Sequence, residues 1–233
     1  MMRNDEEHIE GGGKIRSIIL GLNDGLISTF TLLIGVAAAT LSGGNSVVIL
    51  TGLAALVSGA CSMGLGEYIS SKSEYNYIKN EMKREKAEIE LFPEEEKEEV
   101  REIFEKMGFK DTQLNACVET ITSDKEVWYN FLVKSELGLD TPEKPAIGAI
   151  LTFIAFSFGA FIPLFPYFLN LDIVSLLISS SLSFGMLFMV GMLKTKITGE
   201  KPLKGAIEMV VIGIIAFIIS FTVGLVLDQF IIT

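Results

Sequence analysis

The 233-residue chain contains one histidine, His8, and two cysteines, Cys61 and Cys117. Two distant cysteines exclude a disulfide framework or a cysteine-rich metal centre within one chain. One histidine excludes a multi-histidine zinc or copper site, and also the Glu-x-x-His pairs of di-iron helical bundles. The acidic N-terminus has no early apolar stretch, so we expect no signal peptide. No nucleophile with a nearby base and no phosphate-binding glycine loop is visible, which makes an enzyme the last choice.

Charge is also scarce over most of the chain. Residues 71–144 carry 31 of the 48 charged residues, and seven of the other 17 precede residue 17. The formal net charge of −10 argues against a basic nucleic-acid-binding surface, so no nucleic-acid partner is expected. This uneven distribution excludes a uniform soluble domain and a disordered chain. It predicts a membrane protein with one charged domain outside the bilayer.

Five apolar stretches are long enough to cross a bilayer core, which requires about 20 helical residues. They cover Ile15 to Leu41, Val47 to Ser70, Ala146 to Leu169, Leu171 to Leu193 and Ala206 to Ile232. The short links after the first and third stretches predict antiparallel helical hairpins. The predicted organisation is a tail (1–14), transmembrane helices 1 and 2 (15–70), an acidic domain (71–144) and transmembrane helices 3 to 5 (145–233).

All 19 lysines and arginines fall on one side of this arrangement. They lie before the first stretch, within residues 71–144, or between the fourth and fifth stretches. Basic residues flanking spans remain in the cytoplasm. We therefore expect a cytosolic N-terminus and acidic domain, with the C-terminus on the opposite side.

The acidic domain has a helical pattern. Pro93 followed by Glu94, Glu95 and Glu96 is typical of a helix start, where the helix dipole favours acids. Gly108 is expected to end that helix, and further helices are expected over Thr112 to Thr122 and Lys125 to Leu137. The fold class is thus an all-α membrane protein with five transmembrane helices and a helical cytosolic domain between helices 2 and 3.

Asp24 lies within the first apolar stretch. An ionisable group inside a span costs at least a few kcal/mol and is a functional candidate by default. The alternative is that Asn23-Asp24-Gly25 caps a helix, with Ile15 to Leu22 at the membrane interface. Gly11-Gly12-Gly13 is expected to be a flexible joint before this stretch.

The second stretch contains Met63 and ends near Glu67. If it continues into the acidic domain as one helix, at ~100° per residue, five acids fall within roughly 60° of arc in line with Met63. These are Glu67, Glu74, Glu81, Glu85 and Glu88. They could converge with Glu96 and Glu99 after a turn at Pro93. The alternative is a solvated acidic face, with i,i+4 lysine pairs.

Carboxylates with one thioether indicate a divalent transition metal. The lack of histidine and cysteine ligands points away from zinc and copper and towards Fe(II) or Mn(II). No organic cofactor is expected.

Several segments together resemble the vacuolar iron transporter family. They are Asn23-Asp24-Gly25-Leu26, Ser62 to Tyr68, Lys83-Arg84-Glu85, Glu136 to Leu139 and Ile162 to Tyr167. The resemblance covers nearly the whole chain from about residue 13. It implies a homodimer in the lipid bilayer that exports Fe(II), and also Mn(II), from the cytosol in exchange for protons. The membrane would be vacuolar in a eukaryote and the plasma membrane in a prokaryote.

The resemblance also implies roles for individual residues. It makes Asp24 and Met63 the intramembrane ligands, and places the cytosolic metal site at Glu85, Glu88, Glu96, Glu99 and Glu136. This chain departs from the family pattern at Ala55, where many relatives have an acid, and at Leu132 and Val133, where relatives can have methionines. The remaining alternatives are a less selective divalent-cation transporter or channel, and a membrane interaction protein whose acidic domain docks a partner.

Overall fold

The computed structural model describes residues 12–40, 45–135, 144–199 and 201–229. Within these ranges the chain forms α-helices and one 3-10 helix and has no strand. The α-helices are α1 (Gly12–Ala39), α2 (Asn45–Leu91), α3 (Pro93–Lys106), α4 (Asp111–Thr122), α5 (Lys125–Ser135), α6 (Pro145–Leu164), α7 (Ile173–Thr198) and α8 (Pro202–Leu227). The 3-10 helix, Phe165–Leu169, extends α6.

Among the residues that the structure describes, five helices are long and apolar enough to cross a membrane, which confirms the predicted number of spans. They are Ile15–Ala39, Asn45–Leu91, Pro145–Leu169, Ile173–Thr195 and Pro202–Leu227. The fifth begins four residues before the predicted start, because Pro202 occupies the first turn of α8, where its missing N–H has no helical partner to lose.

The chain divides into two compact units. The apolar unit comprises Met1–Tyr68 and Ala146–Thr233, and the acidic unit comprises Ile69–Pro145. Helix α2 contributes to both, since its 47 residues run without a break from Asn45 to Leu91. The supposition that the second span continues as one helix is therefore confirmed.

Small residues allow the helices of the apolar unit to approach closely. A Cβ atom on Gly159 of α6 would lie within 2.2 Å of the backbone oxygen of Leu22, and one on Gly224 of α8 within 2.2 Å of the backbone oxygen of Gly35. Membrane helices associate through van der Waals contacts of this kind, because the surrounding lipid gives no hydrophobic driving force for their association. Aromatic rings fill the space beside them, with Phe30 packed edge-on against Phe184 at 5.5 Å between centroids.

The acidic unit has its own apolar core. Ile89 of α2 packs with five buried residues from α3, α4 and α5, which are Val100, Leu114, Val118, Trp128 and Leu132. Helix α3 starts at Pro93 as predicted, and Gly108 follows its end with a φ of +97°, a conformation that glycine adopts without strain. The predicted helices over Thr112 to Thr122 and from Lys125 are also present.

One local expectation was wrong. Gly12 and Gly13 do not form a flexible joint, because α1 already begins at Gly12. A glycine in a helix costs about 1 kcal/mol relative to alanine. This cost is small compared with the stabilisation that a helix of 28 residues gains from its tertiary packing.

Candidate metal-binding sites

The seam between α1 and α2 in the apolar unit is fixed by two contacts. The Ser17 hydroxyl donates a hydrogen bond of 3.0 Å to Oε1 of Glu67, and the Leu33 side chain packs on Gly52. The first contact joins the start of α1 to a late position in α2, and the second joins the end of α1 to the start of α2. The two helices are therefore antiparallel. In this register Asp24 lies level with Ala60 and Cys61.

Asp24 lies in the interior of α1, twelve residues from its first residue. The proposed cap at Asn23-Asp24-Gly25 is therefore wrong, because the helix continues through these residues. The Ser28 hydroxyl donates to the backbone oxygen of Asp24, as expected one turn along a continuous helix. Gly25 is held against the backbone of Phe156 in α6, so packing between helices overrides the local turn signal.

Met63 lies close to the depth of Asp24 on the neighbouring helix. Three residues separate it from the position level with Asp24, so the offset along the axis is roughly 5 Å. Its side chain is half-buried and packs against a cluster containing Ala60 and Phe156. Asp24 is also half-buried. Asp24 and Met63 thus lie at similar depth on two antiparallel helices, with Glu67 nearer the end of α1 that holds Ser17.

Two glutamates of the acidic unit are brought together and buried. Glu85 of α2 and Glu96 of α3 are 2% and 5% exposed, and their carboxyl groups are hydrogen-bonded to each other. The chain turns at Phe92, whose backbone oxygen accepts from the N–H groups of Glu95 and Glu96. This turn brings the first turn of α3 back beside the last two turns of α2.

The surroundings of this pair disfavour the ionised form of the Glu96 carboxyl group. Burial raises the pKa of the Glu96 carboxyl, the carboxylates of Glu99 and Glu88 raise that pKa further, and the hydrogen bond with Glu85 opposes the shift. Oε2 of Glu96 is buried without a hydrogen-bond partner. A buried carboxyl oxygen of this kind is stabilised by a cation or by a proton.

The other acids of the predicted stripe have different surroundings. Arg84 lies between Glu81 and Glu88, with nitrogen–oxygen distances of 3.0 Å and 3.4 Å. Glu74 is exposed, and Glu99 is half-buried. The Glu81 side chain is only 16% exposed, so it is not part of a solvated face. Glu88 and Glu99 are close enough to act on Glu96.

The described residues contain no group of three or more histidine, cysteine, aspartate or glutamate side chains arranged around a common point. The pair Glu85–Glu96 is thus the nucleus of the candidate site. Glu136, which the resemblance adds, lies outside the described residues. Leu132 and Val133 are buried in α5. They pack the unit and offer no sulfur ligand.

Ser17 was not identified from the sequence, although it contacts Glu67. A signal was present, because Ser17 is the one hydroxyl in the apolar run from Ile15 to Leu22 and lies seven residues before Asp24. Seven residues are nearly two helical turns, so both side chains share one face of α1. The spacing of seven residues therefore indicates that Ser17 lies on the same face of α1 as Asp24.

The fold and the acids define a multi-pass membrane protein with a carboxylate, Asp24, in the interior of a membrane-length helix and a buried pair of carboxyl groups in a separate unit. The model of the VIT family matches residues 15–225. The chain belongs to this family. It is 37% identical to Vacuolar iron transporter 1 of Arabidopsis thaliana, over 96% of this chain and 90% of the relative.

Two further relatives agree over similar lengths. Vacuolar iron transporter 1 of Oryza sativa subsp. japonica is 35% identical, over 91% of this chain and 84% of the relative. The Vacuolar iron transporter of Plasmodium berghei is 32% identical, over 97% of this chain and 86% of the relative. The resemblance found in the sequence is confirmed.

Proposed function

We propose that this protein transports Fe(II), and also Mn(II), across a membrane in exchange for protons. The observation that carries the proposal is Asp24, an ionisable residue in the interior of a membrane-length helix and level with the Met63 region of α2. Membership of a family whose relatives are named vacuolar iron transporters supports iron as the cargo.

In this proposal the acidic unit collects the ion on the cytosolic side. Glu85 and Glu96 give two oxygen ligands, and Glu88, Glu99 and Glu136 complete the set when a cation replaces the proton of the buried pair. Binding a divalent cation removes the unfavourable proximity of four carboxyl groups, so metal and proton compete for one site. The distribution of lysine and arginine supports the cytosolic placement.

The ion then passes to Asp24 and Met63. Carboxylate oxygen and thioether sulfur together favour Fe(II) and Mn(II) over Mg(II). Asp24 alternates between the metal-bound carboxylate and the protonated acid, because an unneutralised carboxylate in an apolar span is costly. One ion moved outward is thereby exchanged for protons moved inward.

We propose that the transporter is a homodimer in which both subunits contribute Asp24 and Met63. An exposed apolar face of α2 supports contact with a second subunit, because Leu53, Val57, Cys61 and Leu65 are spaced four residues apart and are exposed. The membrane is the vacuolar membrane if the chain is eukaryotic and the plasma membrane if it is prokaryotic.

A less selective divalent-cation transporter is the second candidate. The burial of Leu132 and Val133 favours it, since the collecting site then has oxygen ligands alone. Oxygen ligands discriminate weakly between Fe(II), Mn(II) and Mg(II).

Uptake into proteoliposomes separates these functions. Purified protein is reconstituted with an acidic lumen, and accumulation of Fe(II), Mn(II), Zn(II) and Mg(II) is compared with protein-free vesicles. We expect Fe(II) and Mn(II) to accumulate. Equal uptake of Mg(II) would favour the less selective transporter. Accumulation no greater than in protein-free vesicles would contradict transport and favour a membrane interaction protein with an acidic docking domain.

A further inference from the structure

A cavity of about 380 Å³ lies between α1, α7 and α8 of the apolar unit. Its lining includes Arg16, Ile19 and Asn23 of α1, Val190 and Lys194 of α7, and Met209 of α8. Ligand pockets in proteins commonly measure about 300–1,000 Å³, so this cavity accepts part of a large amphiphile. None of its charged residues takes part in the proposed metal route.

The two cations of the cavity lie at one end of the helix bundle. Arg16 is the fifth residue of α1 and Lys194 the fifth from the end of α7. Both helices have these termini on the side where α8 starts with Lys201 and Lys204. The remaining walls are mainly aliphatic, from Ile19, Val190 and their neighbours. The cavity therefore has a cationic end and an apolar body.

Its charge excludes the transported ion as the occupant. Two cationic side chains at one end repel a divalent metal ion, and none of the described residues that line the cavity carries a carboxylate. The charges complement a phosphate instead, since guanidinium binds phosphate with two parallel hydrogen bonds and ammonium adds a point charge.

The apolar body distinguishes a lipid from a small anion. Leu20 in the lining is 46% exposed, and Ile18 and Leu193, next to the cavity along α1 and α7, are 41% and 53% exposed. In a membrane these side chains face hydrocarbon, so a chain leaving the cavity would remain in an apolar environment. Asn23 lies seven residues beyond Arg16, about 10 Å deeper, and provides an amide near the level of an ester-linked chain.

We propose that this cavity binds an anionic glycerophospholipid, with its phosphate held by Arg16 and Lys194 and one acyl chain against Ile19 and Val190. Basic pockets between transmembrane helices bind anionic head groups in this way. The lipid contacts α1 one residue before Asp24, and so stabilises the helix that carries the intramembrane acid. The proposal does not depend on which ion is transported.

Native mass spectrometry of the full-length protein tests this directly. Phosphatidylglycerol and phosphatidylcholine with identical acyl chains are added separately, and the bound lipid per protein is measured. We expect retention of phosphatidylglycerol at concentrations where phosphatidylcholine is lost. Arg16→Gln and Lys194→Gln should each weaken phosphatidylglycerol binding about fivefold, and together about 25-fold, from the contribution of one basic residue near an anionic head group.

The matched control is Lys201→Gln with Lys204→Gln, which removes two exposed cations from the same end outside the cavity lining. This control should retain wild-type selectivity. Ile19→Trp fills the cavity while leaving both cations in place, and should abolish selective binding. Equal retention of the two lipids by the wild-type protein overturns the proposal. Full phosphatidylglycerol binding in the Arg16/Lys194 double variant, or in Ile19→Trp, overturns it as well.

Discussion

The apolar unit and the acidic unit differ in how their carboxyl groups are surrounded. In the apolar unit Asp24 is a single acid within a span, and Glu67 has the Ser17 hydroxyl as a hydrogen-bond donor. In the acidic unit Glu85 and Glu96 are buried against each other, with Glu88 and Glu99 nearby. Asp24 thus has no other acid in its own helix. In the acidic unit, burial and the repulsion between neighbouring carboxylates favour binding of a proton or a cation at Glu96.

This difference predicts that metal transport has two steps, which are capture in the acidic unit and passage through the apolar unit. A cluster of carboxyl groups can hold a cation while still exchanging it with water. A lone carboxylate in an apolar span is tolerated only when neutralised by an ion or a proton. Substitutions in the two units should therefore have different effects, with transport lost in the apolar unit and capture weakened in the acidic unit.

The largest effect is expected at Asp24. Asp24→Ala should reduce metal uptake to the level of protein-free vesicles, because in the proposed mechanism it removes the carboxylate that alternates between metal and proton. Asp172→Asn is the control, since Asp172 is an exposed acid of the same unit at the start of α7. Uptake is measured in proteoliposomes of both variants. Wild-type rates in Asp24→Ala would remove Asp24 from the mechanism.

The next largest effect is expected on metal capture. Glu85→Gln or Glu96→Gln should weaken Mn(II) binding about ten- to a hundredfold, because a hydrogen bond or ligand contact to a charged group contributes about 1.5–3 kcal/mol. Glu102→Gln is the matched control, since Glu102 is exposed and paired with Lys106 at the surface, where such pairs contribute about 0–1 kcal/mol. Calorimetric titration of the full-length protein measures all three. Equal losses in Glu102→Gln and Glu85→Gln would contradict the division between buried and solvated acids.

A smaller effect concerns packing of the apolar unit. Gly159→Ala should lower the free energy of unfolding by about 1–3 kcal/mol, because its Cβ would collide with the backbone of Leu22. Gly185→Ala has open space around the new Cβ and should change stability by less than about 0.5 kcal/mol. Thermal unfolding in detergent compares the two variants. A loss in Gly185→Ala as large as in Gly159→Ala would show that helix contacts do not decide the outcome.

The smallest effect is a pH dependence confined to the acidic unit. The pKa of Glu96 is raised above its ordinary value of 4.5, chiefly by burial. The folded unit therefore binds a proton more tightly than the unfolded chain. The stability that this contributes is fully present below about pH 4.5 and is lost as pH rises through the folded-state pKa.

Glu96→Gln should accordingly be more stable than the wild-type protein at pH 7 without metal, and the difference should disappear near pH 4. Trp128 is the one tryptophan of the chain and is buried in the core of the acidic unit, so its fluorescence reports unfolding of that unit. A Glu96→Gln variant with the same pH dependence as the wild-type protein would contradict a raised pKa at Glu96.

Hydropathy was sufficient to predict the five spans, because 20 or more apolar residues between charged flanks have few alternatives. Local chemistry was sufficient for the start of α3 at Pro93 and its end before Gly108. It was insufficient at Asn23-Asp24-Gly25, where the same residues suit a cap and a helix interior. The close approach of Gly25 and Gly159 to neighbouring backbones favours the continuous helix, and such contacts join residues far apart in the sequence.

Contacts between distant residues also limited the prediction for the acids. Periodicity placed Glu67, Glu74, Glu81, Glu85 and Glu88 on one face of α2. It could not tell that Glu85 is buried against Glu96 of α3, because that depends on how the chain turns at Phe92. The predicted convergence with Glu96 was correct in the structure. The metal-binding roles of these residues stay predictions, as do the cytosolic location and the dimer.

Exchange of metal for protons is the central claim, and simultaneous recording of both fluxes tests it most directly. Proteoliposomes with an acidic lumen are loaded with a pH-sensitive dye and given Fe(II) outside under reducing conditions. We expect Fe(II) uptake with alkalinisation of the lumen, and much slower uptake after an ionophore collapses the gradient. Fe(II) uptake at an unchanged rate without the gradient, and with no change in lumenal pH, would contradict exchange.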